Sequence, residues 1–205
     1  MKILGIVGSK RKEGNTAALI DNALKSAEAN GVDTQIIYLS DYNIQGCNGC
    51  EGCKYTCKCV VDDDMQKLYP QILQADAIIL GSPTYFYNIT SDMKAFIERL
   101  YCYEIFDKDD RSVWMSLNEA IGIKYASVIA ICEQNNEHDM GFTAEAMKMP
   151  LEALGYRVID VVKVLHLFKK GEAQQSNTAL EQARISGEKL AKTLLLRKEI
   201  VSKIN

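Results

Sequence analysis

Apolar positions along this chain follow two alternating rhythms. Short runs rich in branched side chains occur at Ile3-Leu4-Gly5-Ile6-Val7, Gln35 to Leu39, Ala77 to Leu80, Ala126 to Ile131 and Arg157 to Val164. They predict five strands, the unbroken ones buried on both faces. Between the runs, apolar residues recur three and four apart and predict helices. The first carries Thr16, Leu19, Ile20, Ala23, Leu24 and Ala27 and stops at Gly31. The second carries Met65, Leu68, Tyr69, Ile72 and Leu73 and is opened by Asp62-Asp63-Asp64, carboxylates that complement its dipole. A third holds Met93, Phe96, Ile97 and Leu100, a fourth spans about Phe142 to Leu154 with a kink expected at Pro150, and a fifth spans about Asn177 to Arg197. From Glu104 to Gly122, around Trp114, the period disappears, predicting an irregular segment that serves as a lid or interface piece. Strict alternation of strand and helix predicts an α/β fold with a parallel sheet and right-handed crossovers.

In such sheets, ligands bind beyond the C-terminal strand ends, where the strand order reverses. Four loops of unusual composition leave those ends. The first, Gly8-Ser9-Lys10-Arg11-Lys12-Glu13-Gly14-Asn15-Thr16, combines glycines, hydroxyls, cations and a helix start, as an anion site requires. Five residues separate Gly8 from Gly14, and Asn15 stands where a triphosphate loop needs lysine. The dinucleotide pattern of glycines is also missing. A terminal monophosphate fits better, with Ser9, Asn15 and Thr16 as neutral donors and Arg11 as counter-charge. The third loop, Gly81 to Asn88, offers Pro83, Thr84, Tyr85, Phe86, Tyr87 and Asn88, suited to hydrogen-bonding and stacking on a flat heterocycle. Monophosphate and flat ring together describe FMN. The cysteine-rich second loop and the polar fourth, Glu133 to Gly141, complete the edge.

At 205 residues the chain suits one domain over 1–205. A formal charge of −3 with interspersed signs argues against nucleic acid as a partner. No stretch could span a bilayer and the first apolar run is too short for a signal peptide, so a cytoplasmic location is expected. Seven cysteines, five of them between Cys47 and Cys59, then point to metal or redox chemistry. Cys47, Cys50 and Cys53 repeat at two-residue gaps, so that three thiolates from one loop can face a common centre, with Cys57 or Cys59 as a fourth. A [4Fe–4S] cluster, zinc, a labile disulfide and free thiols are all compatible with that spacing. Cys102 and Cys132 fall in apolar patterns and read as packing residues. His138 and His166, the only histidines, stand in no catalytic arrangement.

The chain resembles the flavodoxin-like NAD(P)H-dependent FMN reductases and, within them, the iron–sulfur flavoproteins. The resemblance rests on Gly8-Ser9-x-Arg11-x-x-Gly14-Asn15-Thr16, Cys47-x-x-Cys50-x-x-Cys53, Asp63-Asp64-Met65, Ala75-Asp76-Ala77, Gly81-Ser82-Pro83-Thr84-Tyr85-Phe86 and Met93-Lys94-Ala95-Phe96-Ile97-Glu98-Arg99. It implies a doubly wound five-stranded parallel sheet, order 2-1-3-4-5, with helices on both faces. It implies an FMN phosphate held by Ser9, Arg11, Gly14, Asn15 and Thr16, and an isoalloxazine ring against Pro83 to Asn88. The iron–sulfur flavoprotein spacing closes the four-cysteine set at Cys59. The implied activity passes electrons from NAD(P)H, or from ferredoxin where a cluster is present, to a quinone, flavin or other small acceptor, in a homodimer or homotetramer. No side chain need act as a general acid, because the cofactor carries the chemistry. A non-enzymatic flavodoxin-type carrier and a redox-sensing flavoprotein are the rival readings.

Overall fold

The computed structural model describes residues 1–204. Its sheet contains β1 (Lys2–Val7), β2 (Asp33–Tyr38), β3 (Ala77–Pro83), β6 (Lys124–Ile131) and β7 (Tyr156–Val164). A separate antiparallel pair, β4 (Glu104–Phe106) and β5 (Trp114–Ser116), lies between β3 and β6 in the chain. The helices are α1 (Asn15–Ala29), α2 (Met65–Gln74), α3 (Ser91–Arg99), α4 (Leu117–Ile121), α5 (Thr143–Ala153), α6 (Glu172–Gln175) and α7 (Asn177–Ile204). All pairings in the large sheet are parallel, in the order β2-β1-β3-β6-β7. Counting only its own strands, this is the expected 2-1-3-4-5.

Alternation along the strands fills the two faces. Ile3, Val7, Ala77, Ile79 and Ile129 pack with Leu19, Ile20, Ala183 and Leu190 of α1 and α7. Leu4, Ile6, Ile78, Leu80 and Val128 pack with Met65, Leu68, Met93, Phe96 and Met147 of α2, α3 and α5. Glycine permits the closest approaches. A Cβ on Gly187 of α7 would lie 1.9 Å from the Ala23 carbonyl, and one on Gly81 would lie 2.5 Å from Ile20 Cδ1.

The segment 104–122 is not irregular. It is the β4–β5 hairpin followed by α4, whose Ser116 and Glu119 form a reciprocal capping box. Three-residue strands are too short to show a period of two, which is why the pattern hides them. Boundaries also move: the second strand runs from Asp33 to Tyr38 with Leu39 in a 3₁₀ turn, the third continues to Pro83, the last two strands start at Lys124 and Tyr156, and α7 continues past Arg197 to Ile204.

The strand order reverses between β1 and β3, and the first and third loops leave these neighbours side by side. The Gly8 N–H donates to the Gly81 carbonyl at 2.8 Å, and the Thr90 hydroxyl donates to the Gly8 carbonyl at 2.6 Å. Thr90 also caps α3 through Met93 N–H, so the two loops and a helix start form one rigid rim.

Candidate functional site

The first loop closes on itself before α1 begins. Ser9 Oγ accepts from the Arg11 N–H at 3.1 Å, and the Gly14 N–H donates to the Arg11 carbonyl at 2.9 Å. Gly14 is the extended N-cap of α1 and supplies no side-chain cap. The N–H groups of the first turn therefore have neither intrahelical nor side-chain acceptors, at a place where Asn15 and Thr16 are buried. An anion here takes the position of a capping oxygen and meets the positive end of the helix dipole.

The third loop is a two-residue hairpin turn. Tyr85 N–H donates to Asn88 O at 2.7 Å and Asn88 N–H to Tyr85 O at 3.2 Å. The central residues Phe86 and Tyr87 have φ of 47° and 66°. This is the left-handed region usually given to Asn-Gly in such turns, and each aromatic residue there costs about 1–2 kcal/mol. Neighbouring contacts hold the conformation: Phe142 N–H donates to the Tyr87 carbonyl at 2.8 Å and the Thr143 hydroxyl to Thr84 Oγ1 at 3.0 Å. The turn leaves Phe86 95 % exposed at the lip of the crevice.

A cavity of about 320 Å³ joins these two loops. Ser9, Arg11, Gly14, Asn15, Thr16, Pro83, Thr84, Tyr85 and Phe86 line it. Tyr87 faces an adjoining cleft with Gln134 and Asp139, and Asn88 a further one with Lys94 and Phe142. The walls also include Ile131, Glu133, Leu167 and Phe168. The last two, which the sequence reading did not single out, come from the loop after β7, and the placement of strand ends at one edge was the signal that could have found them. Asn15 reaches the cavity differently from Ser9: its amide Nδ2 donates to Lys169 O at 3.0 Å and its Oδ1 accepts from Ala173 N–H at 3.1 Å. Its side chain is committed to the loop, leaving its backbone N–H for an anion. Arg11 lies 5.4 Å from the Phe168 ring centroid and donates to the Phe168 carbonyl at 3.0 Å. Size, anion end and aromatic end all fit a flavin mononucleotide.

The cysteine loop opens at the end of β2, and acids of the α2 start hold its base. Asp64 accepts from Asn43 N–H at 2.8 Å, and Asp63 accepts from Gln45 N–H at 2.9 Å and Met65 N–H at 3.0 Å. These carboxylates staple the loop, and the helix proper begins after them at Met65. Cys47, Cys50, Cys53 and Cys59 line one cavity of about 210 Å³ together with Val60, Tyr101 and Arg111, and Cys57 is not among its walls. Among the described residues no three His, Cys, Asp or Glu side chains are grouped to hold a single metal ion, and all seven cysteines are unbridged. Four thiols lining one cavity are a donor set that suits either a zinc ion or an iron–sulfur cluster.

The thiols differ in character. Burial, followed by the nearby Cys59, Cys47 and Cys50 sulfurs, pushes Cys53 up. Burial also works to raise Cys59, but the Val61 N–H, Arg99 and Tyr69 outweigh it and hold this thiol below the usual range. Burial pushes Cys102, behind the loop, up to about 12. Arg99, read from the sequence only as the end of a matching stretch, was given no role there. Its side chain has no solvent exposure and pairs with Asp63, Nη1 to Oδ2, at 2.5 Å. On sequence alone it is indistinguishable from a solvated cation at a helix end.

Comparison with known proteins agrees with this geometry. A sequence profile of the NADPH-dependent FMN reductase family matches residues 1–116, and the chain belongs to that family. Among its curated relatives, an iron–sulfur flavoprotein from Archaeoglobus fulgidus is 42 % identical over 103 residues, covering 50 % of this chain and 47 % of the relative. The chain spans about half the length of the curated relatives it matches. Among solved structures, RosB with bound 8-demethyl-8-formylriboflavin-5′-phosphate superposes with a TM-score of 0.70 at 19 % identity, covering 95 % of this chain and 80 % of that one. A flavodoxin from the domain Archaea superposes with a TM-score of 0.57 at 17 % identity, covering 94 % and 98 %. These likenesses establish a flavodoxin-like fold. Among the described residues, no helix is long and apolar enough to cross a membrane.

Proposed function

We propose that this chain is an FMN-dependent oxidoreductase that draws electrons from NAD(P)H, or from ferredoxin through a [4Fe–4S] centre, and delivers them to a quinone, a free flavin or another small acceptor. The observation that carries this reading is the single cavity running from the uncapped start of α1 to the aromatic turn. When bound, FMN supplies hydride acceptance and onward electron transfer, and a four-thiolate iron–sulfur centre supplies one-electron exchange.

The protein's own work is binding and orientation. First-turn N–H groups of α1, the Ser9 and Thr16 hydroxyls and Arg11 would hold the phosphate. Pro83, Thr84, Tyr85 and Phe86 would hold the ring, and Leu167 and Phe168 would cover its far side, pinned there by Asn15. Cys47, Cys50, Cys53 and Cys59 would hold the irons. A cytoplasmic setting suits a loop dense in free thiols. A homodimer or homotetramer suits an aromatic turn that leaves Phe86 in solvent at the mouth of the site.

Anaerobic purification followed by an absorption spectrum, flavin and iron analysis, and steady-state oxidation of NADH and NADPH tests this. The expected result is one FMN and about four irons per chain with acceptor-dependent turnover. Bound FMN without turnover on any acceptor would support a carrier or sensor instead, and absence of flavin binding would overturn the reading.

A further inference from the structure

Arg99 stands at the end of α3, and its guanidinium is shared among four acceptors. Nε donates to Cys59 Sγ at 3.3 Å, Nη1 to the Gln45 carbonyl at 3.0 Å and to Asp63 at 2.5 Å, and Nη2 to the Val61 carbonyl at 3.3 Å. Gln45 and Val61 lie on opposite limbs of the cysteine loop, so one buried group closes the loop at its base. A guanidinium is planar with fixed donor directions. Once both limbs and Asp63 occupy the Nη donors, the Nε–H direction is set, and it points at the Cys59 sulfur. Cys57 instead occupies a left-handed turn, φ 53°, bonded back to the Cys53 carbonyl.

A buried ion pair contributes little net stability compared with packed apolar side chains. What an apolar replacement could not provide is a charged N–H donor on a thiolate. Such a bond is shorter and stronger as negative charge accumulates on the sulfur, and hydrogen bonds to the sulfurs are among the features that set iron–sulfur potentials.

We propose that Arg99 is the positioning residue of the four-cysteine centre: it selects Cys59 over Cys57 as the fourth thiolate and, through its Nε–H···Sγ bond, raises the potential at which the centre accepts an electron. This rests on the reading that the loop holds an iron–sulfur centre. The net positive charge of Arg99 is offset by Asp63, so the two residues act on the centre with opposite sign. Arg99→Lys keeps the charge but loses the fixed fork, whereas Asp63→Asn keeps an acceptor for the guanidinium and removes the opposing charge.

The test uses the FMN-loaded chain, reconstituted anaerobically with ferrous iron and sulfide, with iron content and the potential of the iron–sulfur absorption measured by redox titration. Cys57→Ser is expected to retain the wild-type iron content and Cys59→Ser to lose iron. Arg99→Lys is expected to titrate at lower potential than wild type and Asp63→Asn at higher potential, with FMN content unchanged in both. If Arg99→Lys does not fold, the upward movement in Asp63→Asn decides. Iron lost from Cys57→Ser and kept by Cys59→Ser, or potentials unmoved in the folded variants, would overturn the proposal while leaving the centre in place. A wild-type chain that takes up FMN but no iron would overturn the cluster reading beneath it.

Discussion

Asn15 and Lys169 are joined across the crevice by a 3.0 Å hydrogen bond from the asparagine amide to the lysine carbonyl, and the same side chain receives the Ala173 N–H at 3.1 Å. The first residue of α1 thus holds the loop after β7 at two points, placing Leu167 and Phe168 against the cavity. Asn15→Ala leaves both backbone groups without their partner, a cost of about 1–3 kcal/mol. The expected outcome is a lower melting temperature and FMN affinity reduced about ten-fold or more, read by flavin fluorescence titration. Unchanged affinity would show that the loop after β7 takes no part in the site.

Arg11 is exposed, and its contacts with Phe168 are a stacking at 5.4 Å and one hydrogen bond to a carbonyl. An exposed cation contributes about 1 kcal/mol or less. Arg11→Ala is therefore expected to weaken FMN several-fold without abolishing binding, with the loss shrinking as salt is added. Binding as tight as wild type at low salt would reduce Arg11 to a solvated charge.

Phe86 combines near-complete exposure with a φ of 47°. Glycine accepts that backbone without steric cost. Phe86→Gly should stabilise the flavin-free protein by about 0.5–1 kcal/mol after glycine's entropy is counted, and so raise its melting temperature, while weakening flavin binding. A lower melting temperature would mean that the phenyl ring, not its backbone, stabilises the turn.

Glu104, on β4, carries a buried Oε2 without a hydrogen-bond partner. Burial first, then the nearby Glu119, pushes its carboxyl up to about 7. A carboxyl whose folded value is raised stabilises the fold only while protonated. Stability should therefore fall as pH rises from about 4.5 to about 7 and then level off, by about 2–3 kcal/mol at most. Glu104→Gln should flatten that fall when unfolding is followed in urea at pH 5, 6, 7 and 8. An identical slope in the variant would assign the pH dependence elsewhere.

The sheet was legible because its strands are apolar runs bounded by helices of clear period; alternation made it parallel, and the strand order came from the resemblance alone. Nine cavity-lining residues were legible as loop chemistry: glycine and hydroxyl at a helix start, proline and aromatics after a strand. The hairpin at 104–116 escaped because three-residue strands have no readable rhythm, although Ser116-x-x-Glu119 was a capping signal in plain view. Arg99 escaped for a deeper reason. Its burial depends on two loop limbs and an aspartate 36 residues away in sequence meeting at one point, which only the folded chain reveals. Asn15 shows the converse: the residue lines the cavity, but its amide serves the neighbouring loop rather than facing an anion.

Parallel titration of the flavin-free protein with FMN and with riboflavin tests the phosphate end of the cavity most directly, because the two ligands share a ring and differ only in the phosphate. The uncapped start of α1 predicts that FMN binds at one site per chain at least a hundred-fold more tightly than riboflavin, a difference of about 2.7 kcal/mol or more, with the gap narrowing in high phosphate. Equal affinity for the two, or no binding of either, would contradict the account.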